Sequence, residues 1–358
     1  MPVKNHYLNT KGRLLSHSGR VLLLICLFTV ISNVVSAGKT GKFEKALWCN
    51  KGNFVINHVY KADSVLNRYE KLGITLLFYS AGSLPYFDWN FLDSLIIECH
   101  KNNIELHPYI VPGHKSALIG SIAKEHPGWL VQNLQGEKPG NFNLANPEVR
   151  KFIVESITPF LRHNIDGFHL DYIRFDLHQS FSYDSLTCET FKNQYGTSPL
   201  SLDKDTGDPL WCQWLDWNAE MVTSLVKDIK TTIQKSGKQI PLSAAVFPDP
   251  RASKYEVGQD WETWVKTGIL DIACPMVYIG NSEVYKKDVT NAIKICKGKA
   301  KVIVGIWLGH RYHRDVDTDT MAEHILVAKK EGAGGISFWS ASSFTEEYQN
   351  KFQTIMLK

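Results

Sequence analysis

Eight times in succession, a short run rich in β-branched and aromatic residues is followed by a longer stretch of helical period. This alternation restricts the chain more than any other feature. The runs are KALWC (45–49), TLLFYS (75–80), ELHPYIV (105–111), GFHLDYI (167–173), PLSAAVF (241–247), LDIACPMVY (270–278), KVIVGIWL (301–308) and GISFWSA (335–341). Between them lie stretches such as ADSVLNRYEKLG, NPEVRKFIVESITPFLRHN and WLDWNAEMVTSLVKDIKTTIQKSG, with apolar residues at three- and four-residue intervals and Gly73, Gly237 and Gly332 near the helix ends. Strict alternation requires a parallel sheet, because each return to the same edge needs a crossover helix. Eight units predict a (β/α)8 TIM barrel. A doubly wound open sheet would want a glycine-rich phosphate turn after its first strand, and NKGNF after KALWC is not one. Residues 176–212 form a long insertion after strand 4, where barrels build their sites.

The first 37 residues stand apart. Lys4, Lys11, Arg13 and Arg20 precede the apolar run VLLLICLFTVISNVVSA, which ends Val35-Ser36-Ala37. That pattern predicts a signal peptide over residues 1–37, cleaved before Gly38, and hence a secreted or periplasmic protein; an uncleaved anchor and a lipoprotein built on Cys26 are the competing readings. Residues 38–358 then form a single barrel domain with no membrane span. The whole chain has 40 basic and 36 acidic side chains. Removing the segment takes away four basic residues and no acidic ones, leaving 36 against 36. No basic tract with interleaved aromatics remains, which argues against a nucleic-acid partner.

Six cysteines follow Gly38, at positions 49, 99, 188, 212, 274 and 296, without a CxxC or Cys/His metal spacing. Most lie in apolar runs, as buried thiols do. Cys188 and Cys212, both in the polar insertion, are the one pair considered for a disulfide. No metal and no organic cofactor is expected.

The fourth run, DGFHLDYIRF (166–175), places charge where a strand should be buried. On a barrel strand, alternate side chains face the lumen and the helices. Phe168, Leu170 and Tyr172 share the parity suited to the helices. His169 and Asp171 then point into the lumen, with Asp171 near the carboxyl end where barrel enzymes keep their chemistry. A lumen carboxylate without partners costs several kcal/mol, so Asp171 either pairs with His169 or Arg174 or has a chemical task. Asp166 and Asp271 fall at the opposite ends of their strands and read as turn or cap residues.

With NFNLANPEVRKFI before it, DGFHLDYIRF resembles the glycosyl-hydrolase-like family 10, also known as the former uncharacterised domain 187. GQDWETWVKTGILDIACPMVY (258–278) is a second match, resembling that family's acidic-tryptophan pair leading into a strand ending Pro-Met-x-Tyr. The likeness runs loosely from about residue 45 to 340. It implies a barrel and a glycoside hydrolase. Strand 7 ends IWLGHR, without the glutamate of the largest barrel clan of retaining hydrolases. His169 and Ile173 depart from the chitinase-type Asp-Gly-x-Asp-x-Asp-x-Glu. Similarity to the amylase-type Asp-Gly-Phe-Arg-x-Asp remains, with His169 in place of the arginine, and it implies that Asp171 is a nucleophile.

A glycosidase needs two carboxyl groups within about 5 to 10 Å of each other. Asp249, directly after strand 5, is the expected partner of Asp171, with Asp176, Asp260 and Glu283 also on the presumed top face. Trp48, Tyr79, Tyr109, Tyr278, Trp307 and Trp339 each lie near a strand's carboxyl end, where rings stack on sugars; core bulk is the competing reading for each. His107, His169 and Arg174 are expected to contact substrate. His310, Arg311, His313 and Arg314 form a charged loop after strand 7, suited to an anionic sugar substituent or simply to solvent. Trp211, Trp214 and Trp217, three residues apart, read as one helix face packed on the barrel, with room for one of the three to be exposed. The expected function is cleavage of glycosidic bonds in a poly- or oligosaccharide; the competing reading is a carbohydrate-binding barrel without catalysis.

Overall fold

The computed structural model describes residues 42–114, 119–177, 181–205, 207–309 and 315–356. The expected signal peptide and the His310–Arg314 loop lie outside these residues. Eight parallel strands close into a barrel: β1 (Glu44–Cys49), β2 (Leu76–Ser80), β3 (Glu105–Ile110), β4 (Phe168–Leu170), β5 (Leu242–Val246), β6 (Ile272–Pro275), β7 (Lys301–Trp307) and β8 (Gly335–Trp339). Each pairs with its neighbours in sequence, and β8 closes on β1 with Ile336 opposite Lys45 and Phe338 opposite Leu47. Closure removes every sheet edge from the eight strands.

The helices follow the expected order: α1 (Ala62–Lys71), α2 (Trp89–Lys101), α3 (Ile119–Glu125), α4 (Pro147–Ile157), α5 (Ser185–Tyr195), α6 (Pro209–Lys235), α7 (Pro250–Val257), α8 (Trp261–Lys266), α9 (Ser282–Cys296), α10 (Thr318–Glu331) and α11 (Glu346–Met356). Their starts are chemically marked. Asp88, Asn146, Asp184, Asp208, Asp249, Asp260, Asn281 and Asp317 each accept a backbone N–H of the first turn. No helix among the described residues is long and apolar enough to cross a membrane.

Two apolar layers result. The outer one lies between strands and helices and includes Leu47, Leu77, Phe168, Leu170, Trp214, Trp261 and Trp264. The inner one fills the lumen with Ala46, Trp48, Leu76, Phe78, Tyr109, Ala245, Ile272, Cys274 and Ile303. His169 is fully buried there, its ring 4.3 Å from that of Phe78 and 4.6 Å from that of Trp48. The barrel interior is thus a packed core, not a pore.

At the amino-terminal end, Asp166 accepts the Leu106 N–H and contacts His100, while Asp271 accepts the Leu242 N–H and pairs with Lys230. Both are structural, as their positions predict. Trp214 and Trp217 stack with centroids 5.4 Å apart and are buried. Cys188 and Cys212 are not bonded to each other, so the disulfide considered for them does not form.

The connection from β3 to α4, residues 111–146, is about as long as the expected insertion after β4 and interlocks with it. Tyr183 N–H donates to Gln132 O at 2.7 Å, and the buried Asn143 amide donates to Asp184 and Thr187, both at 2.8 Å. Asn141 donates to Gly113 O and Asn146 caps α4, so the three asparagines of NFNLAN organise this double loop.

Candidate active site

The mouth of the barrel holds a cavity of about 360 Å³ lined by Trp48, Asp171, Tyr172, Arg174, Phe247, Met276, Tyr278, Trp307 and Trp339. β4 is shorter than its apolar run because it ends in a tight turn. Tyr172 adopts a left-handed φ of 49°, and its carbonyl accepts the Gly113 N–H at 2.9 Å. A Cβ at position 113 would lie 1.9 Å from Arg174 O and 2.5 Å from Tyr172 O, so only glycine lets the β3 exit approach this turn. The turn breaks strand alternation. Tyr172, expected to face the helices, lines the cavity beside Asp171 instead.

Asp171 is almost wholly buried, and its Oδ1 accepts the Tyr172 N–H at 2.8 Å. Burial pushes its carboxyl up from 3.8 to about 6, although the Tyr172 N–H and the charge of Arg174 pull partly the other way. The Arg174 guanidinium is sandwiched 4.3 Å from the Tyr172 ring centroid and 4.7 Å from that of Phe247, and it donates to Phe175 O at 3.1 Å. Its Nε is buried without a hydrogen-bond partner, and burial lowers its pKa.

The aromatic walls come from six strand ends, those of β1, β4, β5, β6, β7 and β8. Trp48 forms the floor, with its ring 5.3 Å from Trp339 and 5.3 Å from Tyr109. After β6, Val277 turns outward into the core while Met276 and Tyr278 turn inward. Gly305 of β7 makes room, since a Cβ there would lie 3.1 Å from both Pro275 O and the Tyr278 ring. Tyr278 then meets Trp307 edge-on at 5.6 Å. Phe247 is held by the fully buried Gln259, which accepts the Phe247 N–H at 2.9 Å and donates to Ala245 O at 3.0 Å. That is the structural task of the GQDW motif, whose Asp260 caps α8.

Six expected site residues therefore meet at the cavity: Asp171, Arg174, Trp48, Tyr278, Trp307 and Trp339. Four do not. His169 is in the lumen as expected but lies beneath the floor, its Nδ1 2.8 Å from Ser243 Oγ; burial holds it well below the usual histidine range, so it is a neutral prop under Trp48. His107 lies towards the amino-terminal end against Gly167, where a Cβ would meet its ring at 2.4 Å, with Glu105 at 3.7 Å. Tyr79 has the opposite parity to Phe78 and packs on Phe91 of α2 in the outer layer. Asp249 is exposed, caps α7 through the Arg251 and Ala252 N–H groups, and lines a different cavity. Asp260 is likewise a cap, paired with Lys254, and Glu283 is exposed on the first turn of α9. Tyr172, Phe247 and Met276 were missed; for Met276, the inward parity shared with Tyr278 was the available signal. Among the described residues no cluster of His, Cys, Asp and Glu is arranged to hold a metal.

The glycosyl hydrolase-like 10 family matches residues 87–324, from α2 to α10 and across every strand from β3 to β7. The chain belongs to the glycosyl hydrolase-like 10 family. This family member is also 30% identical over 168 residues to the 1,4-alpha-glucan branching enzyme GlgB 2 of Clostridium perfringens (strain SM101 / Type A), an alignment covering 45% of this chain and 22% of that enzyme. The match thus spans about a fifth of the curated relative. Among solved structures, a β-galactosidase from the psychrophilic Marinomonas ef1 superposes with a TM-score of 0.66 at 12% identity, covering 88% of this chain and 59% of that one. The β-amylase catalytic domain of Paenibacillus polymyxa superposes at 0.58 and 11% identity, covering 88% and 98%. At such identities the likeness establishes the shared barrel alone.

Proposed function

We propose that this glycosyl hydrolase-like 10 protein hydrolyses glycosidic bonds of a poly- or oligosaccharide in the cavity at the barrel mouth, with Asp171 as the proton donor. One observation carries the reading: a carboxyl raised to about 6 by burial, at the end of β4, inside a cavity otherwise lined by six aromatic side chains, Arg174 and Met276. Rings of Trp48, Tyr278, Trp307 and Trp339 offer faces to the C–H surfaces of a sugar. A carboxyl that holds its proton near neutrality can deliver it to a leaving glycosidic oxygen, the role that burial assigns to the acid of a carboxyl pair. This departs from the nucleophile role implied by the amylase-type likeness. For the second carboxylate, Asp176 replaces Asp249: it lies two residues beyond Arg174, and its charge acts on both Tyr172 and Arg174 of the cavity wall.

The non-catalytic sugar-binding reading keeps one observation in its favour, since among the described residues Asp171 is the only acidic one lining the cavity. Release of reducing ends from a glycan panel separates the two. With Asp171→Asn, turnover should fall by several orders of magnitude while sugar affinity persists. Turnover within tenfold of the parent sinks the catalytic assignment. The pH profile separates the roles: a proton donor loses activity as pH rises through about 6, whereas a nucleophile loses it as pH falls.

A further inference from the structure

A second cavity, of about 540 Å³, opens on the same face of the barrel as the first. Its walls are the first turns of α6, which follows the insertion after β4, and the length of α7, which starts just after β5 reaches the carboxyl end of the barrel. Trp211 and Tyr255 supply partly exposed rings; Asp249, Arg251 and Glu256 supply exposed charge. Lys254 ties the two helices together through Asp216 at 2.8 Å, with Asp260 at 3.5 Å, so the walls are held at a set separation.

We infer that this cavity is an outlying subsite for a neutral sugar unit of the same glycan chain that enters the Asp171 cavity; the inference rests on the hydrolase reading above. The first ground is proximity. Phe247 lines one cavity and Asp249 the other, and two residues of chain reach at most about 7 Å. The second ground is lining chemistry. Hydroxyl groups both donate and accept, so they use carboxylates and a guanidinium placed around aromatic rings. The third is charge: two carboxylates against one guanidinium disfavour an anionic unit. Asp249, expected at the bond being cleaved, finds here a binding task compatible with its role as the α7 cap.

Titration calorimetry on the Asp171→Asn protein tests the inference without hydrolysis, with maltoheptaose, cellohexaose and chitohexaose compared with maltose, cellobiose and chitobiose. At least one long oligomer should bind about tenfold more tightly than its disaccharide. Adding Trp211→Ala should abolish that gain while leaving disaccharide affinity within about threefold. Because Trp211 is partly buried, Arg251→Ala, an exposed change, serves as the second variant and should weaken only the long oligomer. Long-oligomer affinity that neither variant lowers overturns the subsite, as does the absence of any gain with length. Reducing-end release by the unmodified protein is measured in parallel. A length-dependent gain lost in the variants, with no hydrolysis by the parent, keeps the subsite and overturns the hydrolase reading.

Discussion

Asp171 combines two properties that ordinarily exclude each other, burial and charge. Its proton is lost near 3.8 in the unfolded chain and near 6 in the folded one. Between those values the folded state holds a proton that the unfolded state lacks, so the stability tied to that proton is complete below 3.8 and lost as pH rises through 6. At pH 7.5 the ionised carboxylate costs about 3 kcal/mol at roughly 1.4 kcal/mol per unit. Asp171→Asn removes the charge and can keep the bond from Tyr172 N–H. Its Tm should therefore exceed the parent's by a few degrees at pH 7.5, with the gap closing towards pH 4; calorimetry across that range checks both, and a lower Tm at pH 7.5 contradicts burial as the cause. Trp339 sits at the same mouth, half-buried against Trp48. Trp339→Ala should weaken sugar binding by about 1–3 kcal/mol, while a fall in Tm at unchanged affinity would assign the ring to the core.

At the scale of elements, the exit of β4 shows how a loop on one strand shapes the chemistry of the next. The left-handed Tyr172 and the Gly113 that cradles it set the direction of Asp171, Tyr172 and Arg174 together. Gly113→Ala forces a methyl into two carbonyl oxygens, so the β3 and β4 exits must separate. We expect a loss of about 3 kcal/mol or more in stability and a fall in turnover per folded molecule, read by chemical denaturation and active-site titration. A variant with parental stability would show that the turn relaxes freely. Gln259 works the same way on β5, satisfying the backbone that presents Phe247. Strand periodicity located these exits within a few residues but gave no sign of their turning: alternation holds only while the backbone stays extended, and Tyr172 left it.

For the whole molecule, the described parts of the long loops after β3 and β4 are joined to each other by hydrogen bonds. Asn143 joins them from a fully buried position, donating to Asp184 and Thr187 while accepting the Ala145 N–H at 3.0 Å. Asn143→Ala leaves the Asp184 carboxylate short of a donor and one N–H unpaired, a cost of about 2–3 kcal/mol. Proteolysis within residues 176–212 should accelerate before the barrel itself unfolds; equal protection of parent and variant would mean that the two loops are held elsewhere. The eightfold alternation, strand order, inward parity of Asp171 and buried tryptophans of α6 were legible in the sequence, because each follows from a local period of two or 3.6 residues acting through burial. What remained hidden was the detailed geometry of the barrel that the eightfold alternation predicts. It decided that Asp249 and Asp171 line separate cavities, that His107 and His169 lie below the floor, that Tyr79 faces the helices, and that Tyr172, Phe247 and Met276 complete the walls. Strand stagger and the turning of strand exits set those depths and directions, and both depend on contacts between residues far apart in the chain, which no local period records.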